Sequence, residues 1–459
     1  MTTHVVLTTV VVNCGEVTVV PAIRHVLAFA LVILSARSYA DDTWILRTDL
    51  WHSPAFSTLI AHQDKGRLEG SLDGDAITGK VDGRDLVLES TDGQGRVSRY
   101  RLRRTKDEVT GTADLPDPND GSRRVTHAVT GWKLPERKGG PRPRDYRPDS
   151  YSNTWDADRK PVLVVWPGDT VHTTTLDSGG VDETGVTRAL FGNPQTGPFF
   201  VAGAVPGDTL VVHIRRLRLN RDYADSLDTI VGRALGASLV TDAGHLGKPV
   251  RWILDRDKGL ARPESASGAL RDYVVPVKPM LGGLAVAPGF GMPPISTGDT
   301  NRFGGNMDFN EVIEGNTVYL PVQQPGALLY LGDAHALQGD GETSQYALET
   351  SMDVTVTVDL IHGRPISMPR VESPERIMVL GQAGSLDDAL KAASTGMIQW
   401  LRSDYGMTLS QAAQVMGSAI HYDVANLAGR SVGVAAKLDK RLLPPPRMQA
   451  DRAEEIAAP

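Results

Sequence analysis

From residue 43 to 132 apolar and polar positions alternate in short stretches broken by Gly and Asp, as in GRLEGSLDGDAITGKVDGRDLVLEST. A period of two puts one set of side chains on each face of a strand, and the DG pairs supply the left-handed residues that tight hairpins need. The pattern predicts a small antiparallel β domain, or half-barrel, over 41–134. The next stretch, PERKGGPRPRDYRPDS at 135–150, has no periodicity and is rich in Pro, Gly and Arg, the composition of an extended linker. Beyond it, KPVLVVWPGDTVHTTTLDSGG and GPFFVAGAVPGDTLVVHIRRLRL repeat one unit of strand, PGD turn and strand, which predicts a β-sandwich over 151–459. In MDVTVTVDL, 352–360, Met352, Val354, Val356, Val358 and Leu360 share one face, while Asp353, Thr355, Thr357 and Asp359 share the other. One face is buried and one is wet. Helical spacing is confined to SLDDALKAASTGMIQWLRSDYG and TLSQAAQVMGSAIHYDVANL, with Ser385 and Thr408 as N-caps. Many strands followed by two helices give an α+β chain that is mainly β, its helices covering the sandwich.

Composition narrows the partners. The 459 residues exceed one ordinary core, and 41% hydrophobic content is enough to bury two or three domains. A net charge of -7, without blocks of like charge, argues against a nucleic acid and leaves a small molecule as the default partner. A homo-oligomer stays open.

The run VLAFALVIL, 26–34, follows Arg24 and His25 and precedes ARSYA, which puts the small residues Ser38 and Ala40 where a signal peptidase reads. This predicts a signal peptide region over 1–40, cleavage after Ala40, and export to the periplasm or the exterior. The run falls short of the roughly 20 apolar residues of a membrane span, and no later segment approaches that length, so no stable membrane anchor is expected. Residues 1–19 stand ahead of the basic region where a signal should begin, which reads as a start placed too early. Cys14 is the sole cysteine, and Asn13 is too polar to precede a lipidated one. A chain that begins after Ala40 has no thiol, which excludes thiolate catalysis and disulfides.

Two stretches carry candidate chemistry. GDAITGKV, 74–81, approaches a phosphate-binding loop but has Val81 where Ser or Thr is required and another β segment where a helix is required. It is given no chemistry. GALLYLGDAHALQGDGE, ending at Glu342, is different. If the strand stays extended, Asp333 and His335 project from one face about 7 Å apart, close enough to share an ion. Gly339 and Gly341 then let the chain turn sharply and bring Glu342 to the same place. On spacing alone, a solvated turn with a hydrogen-bonded histidine fits equally well. His172, His213, His245 and His421 have no clustered acidic partners and are left out of the site.

The runs GNPQTGPFFVAGAVPGDTLVVHI, FGGNMDFNEVIEGNTVYLPVQQPGALLYLGDAHALQGDGE and DDALKAASTGMIQWLRSDYGMTLSQAAQVMGSA resemble, in this order, the acetamidase/formamidase family. The resemblance covers residues 150–440. It implies a β-sandwich and a metal-dependent hydrolase of short primary amides that releases ammonia and a carboxylate. Asp177 in TTLDSGG falls at the family's early aspartate, Asp308 ends the GGNMD motif, and Asp333, His335, Gln338, Glu342 and Glu349 fall in the last motif. On this basis Asp177, Asp308, Asp333, His335 and Glu349 are candidate metal ligands, and Glu342 and His335 candidate catalytic groups. Gly304, Gly305, Asn306 and Gln338 are candidate substrate contacts, the glycines by offering backbone N–H groups to an oxyanion. Which carboxylate acts as base stays open.

The chain has no GxSxG elbow and no HExxH helix, so an activated water at a divalent cation is the remaining route. Imidazole with carboxylates suits zinc, and an all-oxygen neighbour suits calcium or magnesium. A metal-containing sandwich that only captures a small extracytoplasmic ligand is the alternative. The β domain at 41–134 and the signal region depart from the plain family pattern and put the physiological substrate in doubt.

Overall fold

A computed structural model describes residues 42–289 and 292–446. The signal region, Cys14 and the Ala40 cleavage position lie outside the described residues.

The alternating segment closes on itself. Strands Asp42–Leu50, Ser53–Asp64, Arg67–Leu72, Asp75–Asp82, Asp85–Thr91, Val97–Arg104, Glu108–Pro116 and Arg124–Lys133 pair antiparallel in chain order. The last returns to the first, from Trp44 opposite Lys133 to Thr48 opposite Val129. The expected half-barrel is therefore a full barrel, and closure leaves no sheet edge to protect. Leu86, Leu88, Tyr100 and Leu102 fill its interior while their neighbours face out. GDAITGKV lies in strand and turn, with no helix after it.

Segment 135–150 is only partly a linker. Its residues Pro143–Asp145 form an edge strand parallel to Thr170–Thr174. The Arg142 N–H donates to the Asp169 carboxylate and the Tyr146 N–H to the His172 carbonyl, and these bonds draw an otherwise featureless stretch onto the sheet.

The rest of the chain builds a nine-stranded and an eleven-stranded sheet around a common core. Leu210, Val212 and Val354 enter that core from the first sheet, Phe199, Leu284 and Leu329 from the second. Both PGD turns close alike: the Asp169 carboxylate accepts the Trp166 N–H and the Asp208 carboxylate the Val205 N–H. In strand Met352–Ile361 the residues Met352, Val354, Val356 and Val358 are buried and their neighbours partly open, as the alternation predicts.

Helices Leu386–Asp404 and Leu409–Ala419 start at Ser385 and Thr408, each accepting an N–H three residues on. They bury Ala389, Ala393, Met397, Leu401 and Ala412 with residues of strands Arg376–Ala383 and Val432–Asp439 in a core of their own. Among the described residues no helix is long and apolar enough to cross a membrane.

What positions the site is a run of four short neighbours in the eleven-stranded sheet: Glu349–Thr350, Leu329–His335, Met280–Ala285 and Gly304–Asn306.

Candidate active site

The ladder between Leu329–His335 and Met280–Ala285 pairs His335 with Met280 and Ala334 with Leu281, then resumes with Gly332 opposite Gly283. The skipped pair is Asp333 and Gly282. Asp333 has a left-handed backbone, φ 53°, which turns it out of the ladder. The Gly282 carbonyl accepts instead from the N–H groups of Met307 and Asp308. Asp308, Glu342 and Asn193 are left-handed as well, with φ of 41°, 47° and 56°. Such backbone costs a non-glycine residue on the order of 1–2 kcal/mol, so four in one place mark strain that the surrounding sheet holds.

The strain converges five side chains. Asp333 Oδ1 lies 3.6 Å from His335 Nε2. Glu349 lies directly opposite His335 in the ladder, with Oε1 at 3.3 Å from the same nitrogen. Two sets of potential donors result, Asp333–His335–Glu349 and Asp308–His335–Glu342, each with its ligand atoms within 4.8 Å of one another. All five side chains are buried, Glu342 being the most open at 6%.

The hydrogen bonds fix the imidazole. Gln338 Nε2 donates to the Asp308 carbonyl, and a second carbonyl, that of Ala425, lies 3.4 Å from it. Carbonyls only accept, so the amide oxygen of Gln338 must face His335 Nδ1, 2.9 Å away. An oxygen there requires the proton on Nδ1. The neutral ring then presents the Nε2 lone pair to two carboxylates, an arrangement that repels unless positive charge joins it.

The carboxylates are aimed in the same manner. Asn193 Nδ2 donates to Asp333 Oδ2 at 2.9 Å and to Asn306 Oδ1 at 2.8 Å. Asn306 Nδ2 in turn donates to Asp308 Oδ2 at 2.6 Å, and Asn426 Nδ2 donates to the same oxygen. One oxygen of each aspartate is thereby held, while Oδ1 of Asp308 and of Asp333, Nε2 of His335 and Oε2 of Glu349 are buried without a hydrogen bond to any described residue. Gly282 keeps the space between them open: a Cβ there would stand 2.6 Å from Asp308 Oδ1, 2.7 Å from Asp333 Oδ2 and 2.9 Å from His335 Cε1.

Burial pushes the Asp308 carboxyl up to about 8, with the neighbouring Asp333 adding to the shift. Burial also raises Glu342, with Asp308 adding, and raises Glu349 against the opposing pull of His335. For His335 burial opposes the charged form, but Glu349 and Asp333 outweigh it and hold the imidazole well above its ordinary value. Each shift states the same fact: this acidic cavity demands a proton or a cation. Four unbonded donor atoms, a fixed imidazole tautomer and a space kept clear by Gly282 fit a divalent cation held by nitrogen and oxygen.

The candidate residues divide. Asp308, Asp333, His335, Glu342 and Glu349 come together. Asp177 does not join them: its Oδ2 accepts from Arg221 Nη2 at 2.7 Å and its Oδ1 from the Val181 N–H at 2.8 Å. Its two oxygens are engaged by Arg221 and Val181, and Arg221 also donates to the Glu349 carbonyl and so tethers that strand. Gly304 and Gly305 require a second correction. Both lie in a central strand paired on both edges, so their backbone is occupied by the sheet and does not offer an oxyanion hole. They are glycine because a Cβ would stand 2.3 Å from the Leu284 carbonyl oxygen or 2.5 Å from that of Asp299. Asn306 donates to the Asp308 carboxylate, and Gln338 bonds His335 Nδ1 and the Asp308 carbonyl. Asn193, Asn426, Arg221 and Gly282 were not singled out in the sequence. Asn193 falls inside GNPQTGPFF, a run that carries the resemblance, but nothing in its spacing distinguishes it; the other three have no local signature.

Residues 295–428 match the model of the Acetamidase/Formamidase family. A formamidase of Methylophilus methylotrophus is 24% identical over 347 aligned residues, 58% of this chain and 82% of that one. The crystal structure of a predicted acetamidase/formamidase from Thermoanaerobacter tengcongensis covers 66% of this chain and 97% of its own, at 27% identity and a TM-score of 0.56. An acetamidase from Yersinia enterocolitica gives 28% identity, 66% and 94% coverage, and a TM-score of 0.57.

Proposed function

Taking this chain as a member of the acetamidase/formamidase family, we propose that it hydrolyses small linear primary amides to a carboxylate and ammonia with the help of a divalent cation. The observation that carries the cation is the bare, buried Nε2 of His335 facing Asp333 and Glu349. Asp308, Asp333, His335 and Glu349 would hold it, and since both candidate ligand sets include the imidazole, zinc is the best match. When bound, the cation supplies Lewis acidity, acidifying water and polarising a carbonyl.

The chain's own groups do the rest. Gln338 keeps the proton of His335 on Nδ1, and Asn193, Asn306 and Asn426 hold the outer oxygens of Asp333 and Asp308 so that the inner ones stay aimed. Burial excludes bulk water. Burial alone raises Glu342 and keeps it protonated; positive charge in the cavity would favour its ionised form, which takes a proton from the attacking water. The oxygen adds to the acyl carbon, Glu342 returns the proton to nitrogen, the C–N bond breaks with its electron pair going to nitrogen, and ammonia leaves. The product left behind is the carboxylic acid, which still carries the second proton of the water and gives it up to solvent or to the released ammonia to become the carboxylate.

Ammonia release from formamide, acetamide and propionamide by purified residues 41–459, with and without added zinc, tests the reading. Turnover that chelator abolishes and zinc restores is the expected result; no turnover on any amide with or without zinc leaves a ligand-capturing sandwich instead. We infer export from the run at 26–34 and its small-residue end. Intact-mass analysis of the protein from its native host checks this, a chain beginning at Asp41 being the expected product.

A further inference from the structure

The barrel has a cavity of its own. Turns 50–53, 91–97 and 116–124 lie at the end away from Lys133, where the chain leaves for the sandwich, and residues at these turns enclose about 860 Å³. Leu86, Leu88, Tyr100 and Leu102 fill the barrel interior, so this space is a mouth with a floor and not a channel.

The first turn is built against local preference. Leu50 pairs with Ser53, which makes Trp51 and His52 the two residues of a tight hairpin, and both are left-handed, with φ of 53° and 70°. Asn and Gly take such positions at little cost; Trp does not. Trp51 is also 59% exposed, although an indole gains by leaving water. The turn is nonetheless held. The His52 N–H donates to Asp49 Oδ1 at 2.6 Å, and the rings of Trp51 and His127 stand edge to face with centroids 4.7 Å apart. Strain and exposure combined in one aromatic residue on the wall of a cavity do nothing for the fold and point to a ligand.

His127 is the second observation. It lines the same cavity, is only 6% exposed, and holds Nδ1 2.9 Å from the Asp49 carbonyl. A carbonyl only accepts, so Nδ1 carries the proton and the neutral ring keeps Nε2 as an unused acceptor. The rest of the lining narrows the ligand. Arg96 is paired with Asp92, Nε to Oδ2 at 2.7 Å, and the remaining charged group of the lining is the carboxylate of Asp117, so an anion finds no free positive charge there. A wholly apolar ligand would strip water from His127 Nε2 and from the hydroxyls of Ser53 and Ser98 without replacing it. An uncharged ring with a C–H face and a rim of hydroxyls meets both demands: the face lies on the indole, and the rim donates to Nε2 and exchanges hydrogen bonds with the serines.

We propose that the mouth of the barrel is a binding site for a neutral saccharide, with Trp51 as its platform and His127 as its buried acceptor. Such a site is independent of the amide-hydrolase reading above.

Isothermal titration calorimetry of the whole protein tests it, with neutral tetrasaccharides of glucose, xylose, mannose and N-acetylglucosamine, and with choline and hexanol as cationic and apolar probes. At least one tetrasaccharide should bind with a Kd of about 1 mM or tighter. Trp51→Gly should weaken that binding by about tenfold or more, and its melting temperature should hold or rise, because glycine takes the left-handed turn without strain. Trp51→Phe keeps a ring and should stay within about threefold of the unaltered protein. No binding of any tetrasaccharide, equal affinity in Trp51→Gly, or binding confined to choline or hexanol overturns the proposal. A fall in the melting temperature of Trp51→Gly overturns it as well, since Trp51 would then serve the fold.

Discussion

At the residue scale the arrangement separates groups that hold a cation from groups that move protons. His335 offers a bare Nε2 and is the one nitrogen donor shared by both sets of potential ligands. Replacing it by alanine should therefore lower bound zinc and turnover together, as metal analysis alongside kinetics will read. Glu342→Gln keeps shape but cannot accept a proton, so kcat should fall by about 10²–10⁴ with metal content retained. Loss of metal in Glu342→Gln would make Glu342 a ligand in place of a base, which its membership of the Asp308–His335 set allows. Gln338 gives a third, finer case. Gln338→Leu removes the acceptor that keeps the proton on Nδ1, and metal affinity should drop by about 10–100-fold, measured by competition with a chromogenic chelator.

At the element scale, the site exists because a sheet ladder is interrupted once. Opposite Asp333 the chain has Gly282, and a side chain there meets three of the gathered groups within 3 Å. Gly282→Ala should leave the sheet and its circular dichroism in place, since the ladder is intact on either side, yet reduce zinc binding well below that of the unaltered protein. Unchanged stoichiometry in this variant would show that the cation does not sit among Asp308, Asp333 and His335. This element also shows what the sequence makes legible. Period-two alternation reads out strands such as Met352–Ile361, and Ser385 and Thr408 read out helix starts, because each depends on residues near in sequence. The closure of the barrel and the capture of Pro143–Asp145 depend on partners far along the chain, which no local pattern records. In the same way the last motif brings Asp333, His335, Glu342 and Glu349 to notice through clustering within seventeen positions, whereas Asn193 and Asn426 come from strands and loops more than ninety residues from His335 in either direction. The expected oxyanion role of Gly304 and Gly305 failed for a related reason: a Gly pair marks close backbone approach, and here the approaching backbone is the neighbouring strand.

At the scale of the whole molecule, the buried acidic cavity should make metal-free stability depend on pH in an unusual direction. Most native carboxylates titrate below their unfolded value, so acid removes stability. Asp308, held up to about 8, and Glu342 and Glu349, raised by burial, do the reverse. As pH rises past about 4 the unfolded chain releases these protons while the folded chain keeps them, so folding becomes less favourable across the window up to pH 8. His335 adds with the same sign. Its folded value lies above about 6.5, so the stability it contributes is complete below that pH and is lost as pH rises through the folded value. Each proton held in excess by the folded chain costs about 1.4 kcal/mol per pH unit across the window. A cation among the same groups takes the place of the protons and favours the ionised carboxylates, which removes the slope or reverses it. Melting temperatures of chelator-treated protein should therefore fall from pH 5 to pH 8, while those of zinc-loaded protein stay level or rise, so that the stabilisation by zinc grows with pH. Parallel curves for the two forms would mean that the cluster is neutralised by something other than a bound cation, and the assignment of Asp308, Asp333, His335 and Glu349 as its ligands would fall with them.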